Sequence, residues 1–190
     1  MIPSTAEIAY ALYGAWRLAR LDSRGMDYFD RSVEGFWKSF FAAVLVAPGY
    51  LLTVVWELGA LETTADSLSI FLSQSLIYVI IWLAFPLVMF YVTNQIGRGE
   101  RYIGFIVALN WAAVIQMLVT LPVVVLAMLH ALPNAALLIA SLVVFFAILF
   151  YQGFITRVSL GLGNPAAGAI VISAVFLQRL IEQIGLSMII

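Results

Sequence analysis

Three times this chain runs for the length of a bilayer without a charged side chain: from Leu68 to Gln95, from Tyr102 to Leu129 and from Asn134 to Thr156. At about 1.5 Å of rise per residue, each stretch can cross a hydrocarbon core of about 30 Å as an α-helix. Of the 190 residues, 64% are hydrophobic and only 10% charged, and the mean hydropathy is +1.08. One water-shielded core of this size could not hide so much apolar surface. The expected fold class is all-α: a polytopic helical membrane protein with five transmembrane helices and an N-terminal amphipathic cytoplasmic helix.

The spans are expected at about 36–56, 68–95, 102–129, 134–156 and 166–187. Trp37 and Trp56 sit near the two ends of the first, where an interfacial aromatic belt would put them. The second is longer than a bilayer requires, so it must tilt, kink at Pro86 or protrude. Pro48 and Pro122 likewise fall inside spans. Residues 32–190 thus form the transmembrane domain, and residues 1–31 a cytoplasmic helix and connector.

That N-terminal helix is expected from Ser4 to about Leu21. Ser4 and Glu7 have the spacing of a capping box. Ile8, Leu12, Ala15, Trp16 and Ala19 recur at helical spacing on one face. Such a helix either lies in the membrane interface or packs on the cytoplasmic ends of the spans. Residues 1–20 lack the basic start and apolar run of a signal peptide, so the first true span is expected to direct insertion. Asp30 or Ser32 is expected to cap the next helix.

Charge sets the expected orientation. Arg17, Arg20, Arg24, Arg31 and Lys38 precede or open the first span. Arg98 and Arg101 lie between the second and third spans, and Arg157 between the fourth and fifth. With five spans, all of these fall on one side, and of the 9 Lys and Arg residues only Arg179 does not. The opposite loop after the first span carries Glu57, Glu62 and Asp66. The positive-inside rule then puts the N-terminus in the cytoplasm and the C-terminus outside.

Several chemistries are disfavoured. There are no cysteines and one histidine, His130, which makes a metal centre improbable and leaves no thiol chemistry. His130 itself is expected in the tight outer hairpin 130–133. A net charge of −1 gives no field for nucleic acid. No phosphate-cradling glycine loop, H-E-x-x-H or nucleophile elbow is present. Lys38 is the sole lysine, and the adjoining Ser39 does not share its helix face. We expect no enzyme, no catalytic residues and no cofactor.

The candidate site residues are polar groups at membrane depth. Asn110 and Gln116 lie on the third span, and Gln152 lies on the fourth. Buried amides in lipid demand partners, so these are expected to face other helices, with Gln74, Asn94 and Gln95 as further partners. They either form a polar substrate site or fix helix packing. Arg179 and Glu182, three apart on the fifth span, can pair. They mark either a transport path or partner contact, or an outer-leaflet ion pair that snorkels to water. Small residues four apart, such as Ala108 and Ala112 or Ala169 and Ser173, permit close helix approach.

Two segments carry a resemblance: Tyr28-Phe29-Asp30 to Glu34-Gly35-Phe36-Trp37, and Tyr102-Ile103-Gly104-Phe105 through Asn110-Trp111. With the five-span layout, they resemble the Yip family (Ypt-interacting proteins) in its bacterial branch. The Asp-Leu-x-Gly-Pro stretch of eukaryotic members is absent, so their small-GTPase roles do not transfer. The resemblance implies membrane organisation or a transport-related role, and placement in a bacterial inner membrane with a periplasmic C-terminus. The expected function is a non-enzymatic scaffold or accessory subunit acting through lateral helix contacts. Its partners would be the lipid bilayer and other membrane subunits or further copies of itself. The alternative is a transporter or solute-binding membrane component with a polar site among the spans. In size and hydrophobicity the chain is similar to substrate-binding subunits of energy-coupling-factor transporters, which have six spans.

Overall fold

Bilayer-length apolar segments can satisfy their backbone only as helices, and helices are what form. The computed structural model describes residues 1–59 and 66–187. Glu62 lies outside the described residues. The elements are α1 (Thr5–Ala19), a 3-10 turn (Ser23–Tyr28), α2 (Val33–Ser39), α3 (Phe41–Gly59), α4 (Ser67–Gln95), a short 3-10 turn (Gly99–Arg101), α5 (Tyr102–Met128), α6 (Asn134–Leu160) and α7 (Asn164–Leu186). No strand occurs among the described residues. Five segments are long and apolar enough to cross a membrane: Val33–Gly59, Leu68–Gln95, Gly99–Met128, Asn134–Leu160 and Asn164–Gly185. The fourth is the most apolar of them, and only 6% of its apolar window, within Asn134–Leu160, is buried by protein. A surface of that kind calls for lipid or another apolar partner around it.

The first span differs from the single helix expected over 36–56. It starts at Val33 and breaks at Phe40, whose N–H reaches back to Trp37 in a tighter turn. Both expected caps act at its start. Ser32 Oγ accepts from the Gly35 N–H at 3.0 Å, and Asp30 Oδ1 accepts from the Ser32 N–H at 2.9 Å. The fourth span runs on to Leu160, a turn beyond the expected end. Gly161 stops it in the left-handed conformation at φ 64°, where its N–H meets the Arg157 carbonyl.

Helices α4, α5, α6 and α7 form a ring: α5 meets α6, α6 meets α7, α7 meets α4, and α4 returns to α5. Helix α3 lies against α5. Pro48, Pro86 and Pro122 are each accommodated inside a continuous helix.

Helix α1 begins with the reciprocal capping box of Ser4 and Glu7. Its packed face keeps all of the expected one but Trp16: Ala15 is buried, and Ile8, Leu12 and Ala19 are half-buried against the same core. Ala11, Gly14, Ala15 and Leu18 are buried, while Trp16 is exposed with Tyr10 and Tyr13. The buried face meets Val107, Ala108, Trp111 and Ala112 of α5 and Tyr151 and Ile155 of α6. The Tyr151 hydroxyl donates to the Ala15 carbonyl at 2.7 Å. Close approach also ties α1 to the turn that follows it. Gly14 and Gly25 touch backbone to backbone, and a Cβ on Gly25 would sit 2.5 Å from the Gly14 carbonyl oxygen. Arg17 ties the far end of α1, donating from Nε to Asp22 Oδ2 at 2.8 Å and from Nη1 to the Tyr28 hydroxyl at 3.0 Å. Of the two small-residue pairs named above, Ala108 and Ala112 meet another helix as a buried pair, whereas Ala169 and Ser173 face outward.

The near end of α1 is held by charge. Lys38 Nζ lies 2.7 Å from both Glu7 Oε1 and Glu34 Oε1. The Lys38 ammonium and the Ser4 backbone N–H hold the Glu7 carboxyl well below its usual 4.5, at about 2. A depressed carboxyl contributes stability in full above its unfolded pKa and loses it as pH falls through the folded one. The hold of Glu7 on α2 is therefore expected to weaken as pH drops from about 4.5 to about 2. The protection factors of the α1 amides, with the intrinsic pH dependence of exchange divided out, should fall across that window. In Glu7→Gln protection should already be low at neutral pH and should change little on acidification.

Candidate functional site: a polar cavity among the spans

The helical period that builds each span also chooses what it turns inward. On α5, Asn110, Ala113, Gln116 and Thr120 recur along one side. On α6, Phe145, Leu149, Gln152 and Thr156 do the same. Helix α4 contributes Tyr78, Trp82 and Phe85, α3 contributes Val46 and Tyr50, and α7 contributes Val171, Ala174 and Gln178. These sides border a half-open cavity of about 470 Å³.

Of the expected site residues, Asn110, Gln116, Gln152 and Arg179 all line this cavity. Gln152 Nε2 donates to Gln116 Oε1 at 3.1 Å, joining α6 to α5. Asn110, 7% exposed, donates from Nδ2 to Ser39 Oγ at 2.8 Å, joining α5 to α2. Arg179 stands at the rim with its side chain 72% exposed. Its Nη1 lies 2.9 Å from Glu182 Oε2, and Glu182 is absent from the lining. Gln178 Nε2 donates to the other Glu182 oxygen at 2.8 Å. About 22 Å of rise separates Arg179 from the start of α7, which puts the pair toward the end of that helix.

The expected partners divide. Gln152 does serve Gln116. Gln74 instead accepts from the Tyr50 hydroxyl at 3.1 Å, and Asn94 donates to its own helix at the Phe90 carbonyl, 2.7 Å away. The partner of Asn110 is Ser39, which is wholly buried and whose hydroxyl donates a hydrogen bond to the Phe36 carbonyl at 2.7 Å. Lys38 points elsewhere, to Glu7 and Glu34, so the two neighbours diverge as their helix phase demands.

Tyrosine at membrane depth was the missed signal. Tyr50 and Tyr78 are not belt residues: their rings lie 4.6 Å apart on the cavity wall. The Tyr78 hydroxyl donates to the Ala43 carbonyl at 2.6 Å. Both sit well inside their helices, and that depth is readable from the sequence. His130 is exposed in the hairpin after α5, its ring 6.3 Å from Trp56. Among the described residues no group of three or more His, Cys, Asp or Glu side chains could hold a metal ion.

A smaller cavity of about 220 Å³ lies under α1, bordered by Glu7, Asp30, Lys38 and Trp111. Its Glu7 and Lys38 are paired to each other. The larger cavity therefore offers the richer chemistry, with aromatic walls, the four amides of Asn110, Gln116, Gln152 and Gln178, and an ion pair at the rim. No protein-family model, no curated protein and no solved structure matches this chain.

The Gln116–Gln152 bond should be real but weak. Interhelical hydrogen bonds in membranes average about 0.6 kcal/mol and reach about 1.7. A double-mutant cycle of Gln116→Leu and Gln152→Leu, followed by unfolding in mixed micelles, is expected to give a coupling of about that average. A coupling near zero would mean that the two side chains do not meet.

Proposed function

We propose that this chain is a multi-pass protein of a bacterial inner membrane that binds a small solute between its spans, as a non-enzymatic transporter or solute-binding component. One observation carries the reading: Asn110, Gln116, Gln152 and Arg179, drawn from three helices, converge on a single cavity. Its volume of about 470 Å³ falls within the usual range of small-molecule sites, about 300–1,000 Å³. Amides that only fixed helix packing would have no need of open space beside them. In hydrocarbon such space is normally closed by side chains.

The cytoplasmic side is assigned to the N-terminus, α1 and the loops bearing Arg98, Arg101 and Arg157, and the periplasm to the C-terminus, on the basic-residue asymmetry. In this reading α1 is an amphipathic cytoplasmic helix. Its small-residue face sits on α5 and α6, and its Tyr10, Tyr13 and Trp16 face suits the headgroup region.

That same aromatic face supports a second reading, the scaffold or accessory subunit, because lateral partners dock on such surfaces. Kinship with bacterial Yip proteins accords with either. The two resembling segments pack together here, with the Phe36 and Tyr102 rings 5.8 Å apart.

Extraction in mild detergent followed by native mass spectrometry separates the readings. A solute-binding component is expected to retain a small molecule of defined mass, lost from the Gln116→Leu, Gln152→Leu double variant. A stoichiometric membrane-protein partner alongside an empty cavity would sink the solute reading in favour of the scaffold. Orientation has its own check: alkaline phosphatase is expected to be active when fused to the C-terminus and inactive at the N-terminus. The reverse pattern would overturn the assignment of sides.

A further inference from the structure

If the cavity holds a solute, as proposed above, its polar atoms specify what kind. Gln152 Nε2 donates to Gln116 Oε1. One bond between two carboxamides leaves an N–H donor and a carbonyl acceptor over, whichever of the two donates. Here the remainder is the Gln116 amide nitrogen and the Gln152 carbonyl oxygen. Asn110 likewise gives Nδ2 to Ser39 and keeps its carbonyl oxygen. Among the described residues no enclosed side-chain nitrogen or oxygen lacks a hydrogen-bond partner. The leftover amide atoms therefore border open space, and the space beside them is the cavity that all three residues line.

Neighbouring hydroxyls do not take up this capacity. Thr120 and Thr156 donate to the Gln116 and Gln152 backbone carbonyls, at 2.9 and 2.8 Å. The cavity interior thus offers a donor next to an acceptor, with a second acceptor at Asn110. Around them stand flat apolar walls from Trp82, Phe85 and Phe145. Among the described residues the one charged lining group, Arg179, is paired with Glu182 at the rim.

We infer that the cavity takes a neutral, planar ring compound whose edge carries a hydrogen-bond donor beside an acceptor, as a lactam or carboxamide does. Such an edge satisfies the Gln116 nitrogen and the Gln152 oxygen together. A ketone of the same shape leaves the Gln152 and Asn110 oxygens without a donor. A carboxylate brings an unpaired charge against two carbonyl oxygens in a medium of low dielectric.

Three probes share one ring and differ only at this edge: 2-naphthamide, 2-acetylnaphthalene and 2-naphthoate. Equilibrium dialysis against the full chain in lipid nanodiscs, with empty nanodiscs as the blank, measures each. The amide is expected to bind roughly tenfold more tightly than the ketone or the carboxylate, as one to two added neutral hydrogen bonds imply. In the Gln116→Leu, Gln152→Leu double variant the ketone should still bind, reporting an intact cavity, while the preference for the amide disappears. Gln152→Met alone should reduce the preference and serves if the double variant does not fold. Equal affinity for amide and ketone in the unaltered chain overturns the ligand class and leaves the solute-binding reading standing. Saturable binding of none of the three overturns both.

Discussion

Hydrocarbon can neither donate nor accept a hydrogen bond, and the polar atoms of this chain are arranged around that constraint. The hydroxyls solve it locally. Thr93, Thr120, Thr156 and Ser159 each donate to a carbonyl four residues back on their own helix, which needs no neighbour and exposes nothing to lipid. A carboxamide has too many valences for that solution. Asn110, Gln116 and Gln152 therefore reach across to other helices, and what they cannot satisfy there is turned inward. The cavity is the place where the leftover valences of several helices collect.

The same constraint explains what could be read in advance. Charge-free stretches of bilayer length have one stable backbone, so five long helices were legible from composition and spacing. The capping box of Ser4 and Glu7 was legible because it is local, as were the candidate amides, since each stands out against an apolar run. Which helix each amide would meet was not. On a span every face is apolar, and the helical period that would mark an inward side in a soluble protein is nearly silent. Ser39 could not be singled out as the partner of Asn110, 71 positions away in the chain, because serine passes without notice in a membrane helix.

Helix α1 shows where a rule drawn from water stops short. Counting apolar residues put Ile8, Leu12, Ala15, Trp16 and Ala19 on the packed face, and of these Trp16 alone is exposed. Between helices in an apolar surrounding, bulk earns little, and the approach of backbones decides. Ala11 and Ala15 are small enough for that approach and share a core with Ala108 and Ala112, while Gly14 meets Gly25 of the following turn. The aromatic rings are left outside, where Tyr28 stacks with Tyr10 and meets Tyr13 edge-on.

The break at Phe40 leaves α2 as a rigid peg only seven residues long. Adjacent positions on that peg grip different bodies: Lys38 holds the start of α1, and Ser39 holds Asn110 on the cavity wall. A short rigid piece cannot turn one side chain without turning the next. A shift of α2 would therefore move two grips together, the one on the N-terminal helix and the one on the Asn110 amide at the cavity wall.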